Sequence, residues 1–383
     1  MKAYNEKWVD NIENQSIVNN WERRSLLSAE QATTARELLP VPFYNPNIFL
    51  KVGLFIFTYI AILSSLAFIS IFIFFDILDS PSGFAIVSLG YAMALGIMLE
   101  FLIKTKLLYR SGTDNALLYA MLGSLFSFAF GITSFELPVW LYCLIAVLIL
   151  TPAMFRYGDP LVAAGILASL LITCCILLAK TATGRTIFPF VMVVVSIVIY
   201  FLISYWQNRN ETNYYADCQT TIKTISLLTL YLAGNYYVVR EGNALINDLR
   251  TSVQIDFAFL FYLFTAALPL AYVYIGLKKH NRYFMVVGLV ATAISVLTFL
   301  HYFSTLLGEW ESITIGAVTV ISVVLIIRYL KISRFGITSK PDNSQSPRNF
   351  EALLISRIVP DNARQADNIS GGDFGGGGAG SEY

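Results

Sequence analysis

Residues 49–75 read FLKVGLFIFTYIAILSSLAFISIFIFF, 27 residues whose one charge, Lys51, stands at the edge. A bilayer core of roughly 30 Å needs about 20 apolar residues at about 1.5 Å rise each. Hydrocarbon offers no water to an unpaired amide, so such a stretch crosses as a helix. Nine more apolar stretches follow, over 83–103, 115–131, 137–155, 160–179, 187–205, 222–239, 256–276, 283–303 and 312–330. The fold class this implies is all-α, a polytopic membrane protein of about ten transmembrane helices.

Composition agrees. The chain is 56% hydrophobic and 13% charged, against about 25% charged in soluble domains. The lipid bilayer is therefore its first partner. A net charge of +1 supplies no basic surface, so no nucleic-acid partner is expected. Cys143, Cys174 and Cys175 fall inside apolar stretches and Cys218 in a short connection. That pattern reads as small buried apolar residues rather than a disulfide framework or a metal site. No HExxH, Walker loop, GxSxG or CxxC is present, and no cofactor is expected. His280 and His301 flank the ninth stretch, roughly 30 Å apart as a helix, which argues against a shared metal.

Turn chemistry separates the stretches at Asp79–Gly83, Arg156–Pro160 and Thr183–Arg185. Basic residues orient them. With the N-terminus cytoplasmic, the inner loops hold nine, namely Lys104, Lys106, Arg110, Arg156, Arg209, Lys223, Lys278, Lys279 and Arg282. The outer loops hold four, namely Lys180, Arg185, Arg240 and Arg250. This asymmetry places both termini in the cytoplasm. About 48 polar, mixed residues precede the first apolar run, so that run is expected to act as an internal start-transfer helix. Stretches two to four and eight to ten share a layout of basic inner and acidic outer loops, as parallel repeats would.

Three domains follow from this layout. Residues 1–48 read as a cytosolic helical hairpin. Trp8, Ile12, Val18 and Trp21 recur at helical spacing, Ser28 with Gln31 makes a capping box, and Pro40, Pro42 and Pro46 end the hairpin. Residues 49–330 form the membrane domain. Residues 331–383 form a cytosolic tail, expected to be largely disordered in its glycine-rich part and carrying a short apolar patch, Ala352–Val359. Phe374 and Tyr383 are that tail's anchoring groups. Both termini are candidate docking sites for protein partners.

Polar residues near the membrane are few. Asn235 and Tyr236 lie toward the outer end of the seventh stretch, ahead of Arg240 and Glu241. Asp256 opens the eighth stretch, His301 closes the ninth, and Glu309 and Glu311 follow on the same side. Together these six residues, Asn235, Tyr236, Asp256, His301, Glu309 and Glu311, define a candidate outward-facing polar pocket. For Asp256 and His301 the plainer alternative is interfacial polarity reaching water. For Asn235 it is a hydrogen bond to a neighbouring helix. Glu100 precedes Lys104 by four residues, a spacing that suits a local ion pair. Pro152, Pro189 and Pro269 should kink their helices.

The segment Trp21-Glu22-Arg23-Arg24-Ser25-Leu26-Leu27-Ser28-Ala29-Glu30-Gln31 resembles the cytosolic start of a family of bacterial multi-pass membrane proteins of unknown function. That start runs from a tryptophan to G-L-[IL]-[ST]-x-E-Q, and here Ser25 stands where the pattern has glycine. Tyr231–Tyr237 is similar to span ends in such proteins, and the Phe-Gly-Gly-Gly-Gly-Ala ending to tails of other bacterial membrane proteins. The resemblance implies a bacterial inner-membrane location and brings no catalytic residues.

Three functions fit these features. The first is a non-enzymatic scaffold or sensor acting through partners. The second is a secondary transporter of a small solute, with its site between stretches seven, eight and nine. The third is a membrane enzyme using His301 with Asp256 or with Glu309 and Glu311.

Overall fold

The computed structural model describes residues 2–23, 25–72, 75–209, 213–303 and 308–329. The glycine-rich tail, with Ala352–Val359, Phe374 and Tyr383, lies outside them. Among the described residues there is no strand, only an isolated bridge between Tyr44 and Leu108.

Helices α1 (Glu6–Arg23) and α2 (Ala29–Glu37) come first. Next are α3 (Ile48–Phe72), the single turn α4 (Phe75–Leu78), α5 (Pro81–Lys106), α6 (Thr113–Ile132) and α7 (Val139–Tyr157). They are followed by α8 (Pro160–Ala179), α9 (Ala182–Arg209) and a 3-10 turn at Asn213–Tyr215. The series closes with α10 (Ala216–Gly234), α11 (Tyr236–Ile246), α12 (Ala258–Lys278), α13 (Arg282–Phe303) and α14 (Glu309–Tyr329).

The chain is thus an all-α polytopic membrane protein. Among the described residues nine helices are long and apolar enough to cross a bilayer: α3, α5 to α9 and α12 to α14. The seventh stretch, expected as one span over 222–239, is divided instead. Helix α10 ends at Gly234, and α11 starts at Tyr236. Asp217, Gln219, Thr220, Thr221 and Lys223 keep α10 too polar to face lipid. Its packing explains the composition. Helix α10 lies against α8, α9, α12 and α13, and Asp217 is its one exposed residue. A helix screened by protein needs no lipid-compatible face. Helix α3 is its opposite, with no buried residue at all.

Local chemistry sets the boundaries. Ser80 caps α5 by accepting the Gly83 amide at 3.1 Å, with Pro81 in the first turn. Gly158, left-handed at φ 60°, ends α7. Asp159 then caps α8, accepting the Leu161 and Val162 amides at 2.9 and 3.0 Å ahead of Pro160. Two readings made from sequence need correction here. Glu100 pairs not with Lys104 but with Arg156 of α7 at 2.6 Å, and it also accepts the Tyr157 hydroxyl at 2.9 Å. The helix-to-helix partner adds a second donor that Lys104, on the same helix, does not bring. Cys218 lies not in a connection but in the first turn of α10, fully buried.

Residues 11–40 form a separate compact unit. Val18, Ala32, Ala35 and Leu39 make its core. The capping box is present, with the Ser28 amide donating to Gln31 at 2.9 Å and the Gln31 amide to Ser28 Oγ at 3.2 Å. Arg36 ties the two helices together by donating to Asn19 and Glu22.

Helices α5 and α6 approach closely where Gly131 meets α5. A Cβ there would come within 2.9 Å of the Ala85 nitrogen and the Pro81 oxygen, backbone atoms that cannot step aside. Gly131→Ala should therefore cost roughly 1–3 kcal/mol. Gly123→Ala, with nothing within 4 Å, should be neutral or gain roughly 0.5–1 kcal/mol. Thermal unfolding of the purified protein in one detergent checks the pair, and equal melting temperatures would contradict the close approach.

Candidate functional site

The break between α10 and α11 is built on Asn235. It has extended backbone angles (φ −79°, ψ 127°) and ends one helix while starting the next. Its side-chain oxygen caps α11 by accepting the Val238 amide at 3.2 Å. The residue is completely buried, so its amide group needs partners, and α13 and α10 supply them. Nδ2 donates to Thr298 Oγ1 at 3.1 Å and to Tyr231 Oη at 2.9 Å.

From Tyr231 the polarity runs on to α12. Pro269 has no N–H, so the Thr265 carbonyl one turn earlier loses its helical partner. Ser295 of α13 replaces it, its hydroxyl donating to the Thr265 carbonyl at 2.6 Å. With that proton committed, Tyr231 must be the donor across its 2.8 Å contact with Ser295 Oγ. The donors therefore run Asn235, Tyr231, Ser295, and the Thr265 carbonyl is the final acceptor. Thr265 Oγ1 meanwhile accepts the Tyr236 amide at 2.9 Å, the first amide of α11. Three helices are thus tied to the break by side chains that carry no charge.

Beyond the break, rings and ions gather. Tyr236 packs on Tyr262 and Tyr302, with centroids 4.2 and 5.1 Å apart. The Arg240 guanidinium lies 4.6 Å from the Tyr302 centroid and donates to Tyr236 Oη at 3.1 Å and to the Ser252 carbonyl at 2.9 Å. Burial pulls the Arg240 pKa down, but the Tyr236 oxygen and nearby acidic groups outweigh it, and the net shift is upward. Glu241 accepts the Tyr302 hydroxyl at 2.6 Å. That bond, against some desolvation, holds its carboxyl below the ordinary range. Any stability Glu241 adds is present at neutral pH and is lost as pH falls through the folded value.

The six residues singled out from sequence have separate fates. Asn235 and Tyr236 sit at the break. His301 is exposed, its ring 5.0 Å from that of Tyr237 and 4.8 Å from that of Tyr302. It also borders an open groove of about 680 Å³ between α13 and α14, with Leu297, Leu300 and Gly316 in its walls. Asp256 is exposed in the turn before α12, with no hydrogen bond or ion pair among the described residues. Glu309 and Glu311 are exposed in the first turn of α14, where Glu311 accepts the Gly308 amide at 3.0 Å. Among the described residues no carboxylate bonds His301.

Sequence reading missed Tyr231, Thr265, Ser295 and Thr298 as members of the cluster, along with the roles of Tyr262 and Tyr302. Their signal was present but faint. Thr265 stands four residues before Pro269, and Ser295 and Thr298 recur at helical spacing inside an apolar run. Comparison with known proteins adds nothing further, since no family model, curated protein or solved structure matches the chain.

Removing the Ser295 hydroxyl orphans the Thr265 carbonyl. Ser295→Ala should lower stability by about 1–3 kcal/mol. Pro269→Ala restores an amide to that carbonyl, so its combination with Ser295→Ala should recover a good part of the loss. Thermal unfolding of the four members of the cycle reads this directly, and strictly additive effects would disprove the link.

Proposed function

We propose that the protein is a secondary transporter of a small solute whose site is the α10–α11 break, between α10, α12 and α13. One observation carries this reading. The helix that is shielded from lipid along nearly its whole length is also the helix that is interrupted. Irregular backbone at membrane depth is tolerated only where protein or a water-filled cavity surrounds it, and transporters use such interrupted helices for their solute and ion sites. The hydroxyls of Tyr231, Thr265, Ser295 and Thr298 and the amide of Asn235 suit exchange of partners with a polar solute at low electrostatic cost. Arg240, Glu241 and the tyrosines beyond them would then form the outer approach, to which His301 contributes from its rim.

The same proposal places the protein in a bacterial inner membrane with both termini cytoplasmic. In support are the nine-to-four excess of basic residues, the resemblance of residues 21–31, and the counting of α10 as the tenth crossing. A scaffold or sensor role is the second reading. The compact unit at residues 11–40 favours it, since that unit exposes Leu26 and Leu38 for a partner.

Two measurements test these statements. In proteoliposomes screened against amino acids, sugars, nucleosides and inorganic ions, at least one solute should be taken up. Asn235→Ala should reduce that uptake at least tenfold at equal protein content. Uptake that survives Asn235→Ala undiminished would remove the break from the mechanism. For topology, a Ser28→Cys thiol should react with a membrane-impermeant maleimide only from the cytoplasmic side, and an Asp248→Cys thiol only from the other. Labelling of both from one side overturns the orientation.

A further inference from the structure

At the opposite end of α10 the first residues of the chain are drawn into the bundle. Tyr4 is 8% exposed, and its hydroxyl donates to Asp114 Oδ2 at 3.0 Å. The Ala3 amide donates to the Arg156 carbonyl at 2.8 Å. The Lys2 ammonium lies 4.8 and 5.0 Å from the centroids of Tyr214 and Tyr215, and Asp10 accepts the Asn213 amide at 2.9 Å. One short segment therefore touches three of the turns at this end: α5–α6 through Asp114, α7–α8 through Arg156, and α9–α10 through residues 213–215.

The α5–α6 turn is held under tension. Leu107, Arg110 and Gly112 all have positive φ, at 50°, 48° and 99°, and for the two non-glycine residues that region is costly. Asp114 stabilises the turn by accepting the Arg110 amide at 2.7 Å, the Ser111 amide at 2.8 Å and the Ser111 hydroxyl at 2.9 Å. Tyr4 is the fourth donor, and it comes from outside the turn. Burial and then the Asp114 charge push the Tyr4 phenol well above its ordinary range, so the proton stays in this bond. The Arg110 side chain reaches onward to Asp217 and to the Gly158 carbonyl, joining the other two turns to the first. Tyr4 also stands edge-on to Tyr109 at 5.0 Å, and Tyr109 is stacked on Phe43 at 4.8 Å.

We propose that residues 2–10 form a latch that keeps this end of the bundle closed, with the Tyr4–Asp114 hydrogen bond as its bolt. Its hydrogen bonds and ring contacts lie at helix ends rather than in the hydrocarbon span, and Tyr4 and Val9 add apolar burial in the adjoining hydrophobic cluster. The chain departs this unit after Asp10 and returns at Val41. A pull on the intervening hairpin would therefore reach the latch from one side and Phe43 from the other. Opening would loosen the joint between the three turns, leaving it to Arg110, Tyr214 and Tyr215, and give water and solutes a way to the buried residues beneath. This regulation does not depend on the transport reading, because it concerns access alone.

The protein contains its own reporter. Cys218 is completely buried in the same cluster as Tyr4, Tyr157 and Tyr214. With Cys143, Cys174 and Cys175 replaced by alanine, the full chain in proteoliposomes is treated with N-ethylmaleimide and labelling of Cys218 is timed. The latch predicts slow labelling with Tyr4 in place, at least tenfold faster labelling in Tyr4→Ala and on deletion of residues 2–5, and an intermediate rate in Tyr4→Phe, which keeps the ring but loses the bolt. A parallel set carries Cys218→Ala and Ser226→Cys, placing a thiol at a buried position midway along α10. It should remain unlabelled throughout. Equal Cys218 rates in all variants would show ordinary packing and overturn the latch. Labelling of the Ser226→Cys thiol in step with Cys218 would overturn it as well, since the bundle would then be loosening as a whole.

Discussion

A backbone carbonyl inside a membrane must find a donor, and the arrangement of α10 to α13 follows from one carbonyl that loses its own. Pro269 takes the amide away from Thr265, Ser295 supplies a hydroxyl, and Tyr231 and Asn235 extend the bonding to the point where α10 stops. The proline in one helix and the interruption in another are thus one connected feature. Each group in the series has its proton assigned by the next, so the network has a single direction and a single register.

That network is possible because α10 is sheltered. Its lower half carries Asp217, Gln219 and Lys223, which lipid would penalise, and its upper end exposes the peptide groups of a helix terminus. Packing against protein along nearly its whole length removes both costs. The price falls on the outer helices, which must be apolar over most of their surface, and α3 with no buried residue shows this most fully. Polarity at the centre and uniform apolarity at the rim are two consequences of the same packing.

The two ends of α10 differ in kind. Around Asn235 the helix-to-helix bonds run among neutral side chains, with the charges of Arg240 and Glu241 displaced toward the exit. Around Cys218 the bonds are made by Asp159, which caps α8, by Asp114, which holds the α5–α6 turn, and by residues 2–10 laid across three turns. Neutral groups at depth can change partners cheaply. Buried carboxylates at the helix ends hold a closed arrangement until the strap that completes them is withdrawn.

From the sequence alone came the helical class, nearly every span, the capping box at Ser28 and Gln31, and the proline and glycine stops between helices. These features depend on local composition and spacing, which a linear reading contains. Asn235 was legible as a deep polar residue, but its partner Thr298 lies 63 residues away. The division of the seventh stretch was hidden because its apolar residues run on past the break to Val238 and Val239. Asp256, Glu309 and Glu311 shared a side with the break in the linear layout yet stay exposed at separate helix starts, because common depth does not bring helices together. Likewise Glu100 found Arg156 rather than its neighbour Lys104, and Tyr4 found Asp114 across 110 residues. Packing order among helices decided each of these. An apolar pattern specifies that a segment enters lipid and leaves open which other segment it will touch there.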